Sequence, residues 1–63
     1  MYKMPEVAVK AAVKALFNGG HLLSNTQWLK IVAMYATGMI SANNAAKLVE
    51  MMMLDPTTIH HEN

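Results

Sequence analysis

Residues 24–41, Ser24-Asn25-Thr26-Gln27-Trp28-Leu29-Lys30-Ile31-Val32-Ala33-Met34-Tyr35-Ala36-Thr37-Gly38-Met39-Ile40-Ser41, carry one helix together with its start and stop signals. Ser24 followed three residues later by Gln27 is a capping box, in which each side chain satisfies a backbone N–H that the first turn leaves unpaired. Gly38, just past Thr37, supplies the stop, and Ser41 is the natural N-cap of the next helix. Between these signals the polar stripe is only Thr26, Gln27, Lys30 and Thr37. Trp28, Leu29, Ile31, Val32, Tyr35 and Ala36 occupy most of the circumference, and Lys30 is the sole permanently charged side chain between Ala15 and Ala46. A helix apolar nearly all round must be covered on several sides.

Outward from this helix the punctuation repeats. Upstream, Pro5-Glu6 suits a first helical turn, because Pro lacks an N–H that would go unpaired there and Glu complements the helix dipole. The helix runs to about Phe17, where Asn18-Gly19-Gly20 ends it. Glu6, Lys10 and Lys14 form a solvated stripe at four-residue spacing. Opposite them Ala8, Val9, Ala11, Ala12, Ala15 and Leu16 make a smooth face that allows close approach by another helix. Downstream, the third helix runs from Ser41 to the Asp55-Pro56 stop. It sets Asn43, Asn44, Lys47 and Glu50 against Ala42, Ala45, Ala46, Leu48, Val49, Met52 and Met53. Met51 and Leu54 fall towards its polar side. The sequence therefore divides into a helical domain, 1–55, and a flexible polar tail, 56–63.

The amount of apolar surface decides what such a chain needs. It has 63 residues, 54% hydrophobic and only 14% charged. Area scaling gives roughly 6,000 Å² buried on folding, of which about 3,400 Å² apolar is worth roughly 85 kcal/mol. Ordering about 55 residues at ~1.5 kcal/mol each costs nearly the same. Cys is absent, so no disulfide or thiolate zinc site closes the gap. The expected architecture is all-α, with three short helices per protomer in a helical homodimer. Trp28, Val32 and Tyr35, with Ile31, Leu48 and Met52, are the expected dimer core.

Several functions are disfavoured by what the sequence contains. The net charge is +1 and there is no Arg, which removes the basic footprint and the bidentate phosphate and guanine contacts of a typical nucleic-acid binder. Helices two and three around Gly38 do suggest a helix-turn-helix. The small and apolar positions of that template, however, hold Met34, Asn44 and Lys47. Sliding the register by one brings Ala45 and Leu48 into place but puts Tyr35 at the small position. The longest apolar run, Ile31 to Ala36, is far short of the ~20 residues that cross a bilayer. The Ala face of the first helix offers little insertion energy for a membrane surface. Ser24 and Ser41 are explained as caps, Glu50 and Asp55 do not stack on one helical face, and Gly19-Gly20 lacks the Lys-Ser/Thr of a phosphate loop. His60, His61 and Glu62 are not the i, i+4 pair of a helical zinc clamp. His21 reads as a loop residue. No enzyme, cofactor or metal is expected, and nucleic acid and membrane are not expected partners.

Taken whole, the segments MYKMPEVAVKAAVKALF (1–17), HLLSNTQWLKIVAMYATG (21–38) and ISANNAAKLVEMMM (40–53) resemble a small early protein of lambdoid bacteriophages, encoded between the exo and xis genes. The resemblance implies early lytic expression in the cytoplasm of the bacterial host. It also implies a small helical accessory factor that modulates host physiology or the lysis–lysogeny choice. It carries no catalytic motif and maps no functional residues. Separately, Gly38 through Leu48 is similar to a common helical-hairpin phrase, with Asn43 and Asn44 where acidic residues usually stand.

The sequence thus points to a non-enzymatic regulatory protein that binds a host or phage protein. The end of the third helix, Asn44, Lys47, Met51 and Leu54, is the expected contact surface, and the run Met51 to Met53 serves either that surface or the core and dimer seam. The alternative is a small DNA-binding regulator using helix three.

Overall fold

The computed structural model describes residues 3–56 as three helices: α1 (Glu6–Phe17), α2 (Asn25–Ala36) and α3 (Ala42–Leu54). Their ends follow from local chemistry. Gln27 donates its backbone N–H to Ser24 Oγ at 3.1 Å, and the Ser24 N–H donates to Gln27 Oε1 at 3.2 Å, which completes the capping box. Ser41 Oγ accepts from the Asn44 N–H at 3.1 Å and caps α3. Pro5 stands one position earlier than the sequence reading placed it, as the N-cap of α1. Its carbonyl accepts from the N–H groups of Ala8 and Val9 at 2.9 and 3.1 Å.

The stops of α1 and α2 share one geometry. Gly19 (φ +90°) and Gly38 (φ +82°) occupy the left-handed region. Past α1, the Gly19 N–H donates to Leu16 and the Gly20 N–H to Ala15. Past α2, Gly38 donates to Tyr35 and Met39 to Met34. These paired bonds are the Schellman arrangement, which satisfies carbonyls that the last turn leaves open. The C-terminus of α3 falls at Asp55, whose extended backbone (ψ 115°) is the conformation that a following Pro imposes.

Helix α3 is the centre of the molecule. It packs along α1 and against α2, while α1 and α2 do not bring any Cα atoms within 8 Å of each other. The α1–α3 contact is built from small side chains: Ala8, Ala15 and Ala45 are fully buried, and Ala12 and Ala46 nearly so. Ala presents only a methyl group, so the two helix backbones approach closely. Met4, Ile31, Val32, Val49 and Met53 are the larger members of the core. No polar or charged side chain is buried among the described residues.

The buried face of α1 is narrower than its sequence pattern suggested. Val9 and Leu16 are 41% and 43% exposed rather than covered. The buried positions of α1 are Ala8, Ala12 and Ala15, and Val9 lines a hollow shared with α2.

Candidate functional site

An open apolar cleft separates α1 from α2, a direct result of both helices packing on α3 without meeting. Two hollows in it have Trp28 as a common wall. One, of about 610 Å³, is lined by Lys3, Met4, Glu6, Val9, Trp28, Leu29 and Val32. The other, of about 340 Å³, is lined by Ala12, Leu22, Leu23, Asn25, Trp28 and Met53, so its floor reaches the last turns of α3. Leu22 is 73% and Leu29 62% exposed, and Val13, four residues beyond Val9 on α1, is 49% exposed. Val9, Val13 and Leu16 lie at i, i+4 and i+7, so they form a ridge along one flank of α1. The charges at the cleft are Lys3 and Glu6, both at one rim. Glu6 also sits 3.9 Å from Lys10 Nζ in an exposed pair one helical turn apart.

The structure separates the residues expected at a dimer core. Ile31 and Val32 are 2% and 6% exposed within the single chain, so its own helices already cover them. Trp28, Tyr35, Leu48 and Met52 are half-buried. Trp28 and Val32 border the cleft, whereas Leu48 and Met52 pack on the edge of the core. The residues expected at a partner surface are all exposed and share the outward face of α3. Asn44, Lys47, Met51 and Leu54 recur at three- and four-residue spacing, with Met51 66% and Leu54 42% exposed. Asn43 is exposed beside them.

Sequence reasoning did not single out the cleft. Leu22 lies in a loop, Leu29 looks like one more residue of an all-round apolar helix, Val9 and Leu16 look like core, and Val13 carries no signal of its own. The available signal was the contrast between Ala and β-branched or longer residues on α1. Where Ala lines one stripe and Val or Leu the adjacent one, the Ala stripe takes the close helix contact.

His21 is a loop residue, but it is engaged with α3. Its backbone N–H donates to the Met53 carbonyl at 2.8 Å, and its ring Nε2 lies 3.3 Å from the Asp55 carbonyl. No group of three or more His, Cys, Asp or Glu side chains that could hold a metal occurs among the described residues. None of their helices is long and apolar enough to cross a membrane. His60, His61, Glu62 and the rest of the tail from Thr57 lie outside the described residues. Comparison with protein-family models, curated proteins and solved structures finds no match to this chain.

Proposed function

We propose that this chain is a non-enzymatic accessory protein that acts by binding other proteins, working as a homodimer and contacting a host or phage protein. The observation that carries this reading is the distribution of large apolar side chains. Among the described residues ten of them are at least 40% exposed, while the larger members of the buried core number five. Exposed apolar surface gathered in patches marks interaction sites, whereas single scattered residues do not. Here it gathers in the cleft beside Trp28 and at Met51 and Leu54 on the outer end of α3. The likeness to early lambdoid phage proteins supports a regulatory setting in the bacterial cytoplasm. The outward face of α3 is the surface offered to the heterologous partner.

Affinity purification of the tagged full chain from bacteria, run beside Lys47→Glu and Met51→Lys, tests the proposal. Both positions are exposed, so neither change disturbs the core. A protein retained by the parent chain and lost from both variants is the expected result. Capture that is absent, or unaltered by both substitutions, counts against it.

A second reading is a small DNA-binding regulator. It is favoured by the exposure of Asn43, Asn44 and Lys47 in the first half of α3, where a recognition helix places its base contacts. Gel-shift on random DNA at low salt distinguishes the two. Tight, salt-sensitive binding abolished by Lys47→Glu would favour this second reading.

A further inference from the structure

We infer that the cleft between α1 and α2 is the homodimer seam, with the Val9–Val13–Leu16 ridge of each protomer seated against the Trp28 and Leu29 side of its partner. This rests on the proposal that the chain is an interaction protein and assigns the two apolar surfaces different occupants. A two-fold interface needs one patch that is complementary to itself. The cleft meets that requirement, because Val9 of the ridge also lines the larger hollow, which Trp28 walls, so ridge and hollow adjoin.

Charge and size agree with a second copy. The rim carries Lys3 and Glu6, one of each sign, so two copies meet without the cost of a rim of single sign. A stable interface takes roughly 800 Å² from each partner, under a fifth of the 4545 Å² that the chain exposes. Residues 57–63 are a poor cover by composition, since they include one large apolar residue, Ile59. A cover is also needed whenever the chain is folded, because half of the buried core positions among the described residues are Ala. A second copy is the partner that is always present.

Sedimentation equilibrium of the full chain from ~1 to ~100 μM, with far-UV circular dichroism and emission of the single Trp, provides the test. The parent chain should reach twice its 6.9 kDa mass, with Trp28 emission moving to the blue as concentration rises. Leu29→Lys and Val13→Glu should return the single-chain mass with helical dichroism intact, while Met51→Lys should remain dimeric. A helical parent chain of single mass at the highest concentration overturns the inference, as does a dimer that survives both cleft substitutions.

Should a charged variant fail to fold, single-cysteine variants serve instead, since the chain has no Cys of its own. A mixture of the Val13→Cys and Leu29→Cys chains should cross-link to each other on addition of a short bismaleimide, and the Met51→Cys chain should not cross-link to itself. The reverse pattern overturns the seam. A monomer that still captures a protein through α3 defeats this inference alone. A cleft dimer that captures nothing defeats the proposed heterologous contact alone.

Discussion

The His21 backbone N–H donates to the carbonyl of Met53 at 2.8 Å, tying the loop after α1 to the last turn of α3. One residue earlier the chain passes so close that a Cβ on Gly20 would sit 2.8 Å from both the Ala15 and the Met53 carbonyl oxygens. This strap holds together the C-terminal ends of α1 and α3. It also aims Leu22 and Leu23 at the lower hollow of the cleft.

Gly19 and Gly20 are therefore required for different reasons, and Ala substitutions separate them. Gly19 has open space around it but a φ of +90°, so Gly19→Ala should cost about 1–2 kcal/mol through backbone conformation alone. Gly20 has no such φ, yet its Cβ would meet backbone atoms that move only if two helix ends part. Gly20→Ala should cost about 1–3 kcal/mol or more and loosen the His21–Met53 bond. Urea melts give both values, and hydrogen exchange at the His21 amide should speed up in Gly20→Ala. D-Ala at position 19, introduced by chemical synthesis, should recover the loss there. An unchanged midpoint in Gly20→Ala would remove the strap from the account.

Ser24 is the only residue that satisfies the Gln27 N–H at the start of α2. Ser24→Ala should cost ~0.5–2 kcal/mol, and Ser24→Asp should retain most of the cap. Equilibrium denaturation compares the three chains. Equal stability of the Ala variant and the parent would show that the capping box contributes nothing measurable.

The Glu6–Lys10 pair makes the opposite kind of prediction. At 3.9 Å, with both side chains more than three-quarters exposed, it is screened by water and salt. Glu6→Gln should change stability by no more than about 0.5 kcal/mol, and added salt should erase even that. A thermal melt at low and high ionic strength checks it, and a loss of several degrees at both would place Glu6 in a role beyond this pair.

What was legible in the sequence is what neighbouring residues decide among themselves. Pro5, Ser24 with Gln27, Ser41, Gly19, Gly38 and Pro56 mark every helix end to within one position, because a cap or a left-handed turn is satisfied locally. Which helix stands in the middle was not legible. The 3.6-residue period tells that Ala8, Ala12 and Ala15 seek cover, but not that α3 provides it, nor that α1 and α2 fail to meet. The exposure of Val9, Leu16 and Leu29 follows from that arrangement and from nothing within four residues of them. Gly20 was equally hidden, since its neighbours are 5 and 33 positions away along the chain.

The division between Ile31 and Leu29 carries the sharpest energetic consequence. Two residues apart on α2, they are 2% and 62% exposed. Ile31→Ala empties a core position and should cost about 2–5 kcal/mol at any protein concentration, enough to unfold much of a chain this small. Leu29→Ala removes a side chain that the single chain leaves mostly in water. At the lowest concentrations that melt as a monomer, it should shift stability by only about 0.5 kcal/mol. With rising concentration the parent midpoint should climb, because association stabilises the folded state by mass action. The Leu29→Ala midpoint should climb less, since its seam contact is gone. Melts of the three chains across a hundredfold range of concentration therefore measure core and seam separately. Parallel concentration dependence in the parent and Leu29→Ala would place the seam away from Leu29.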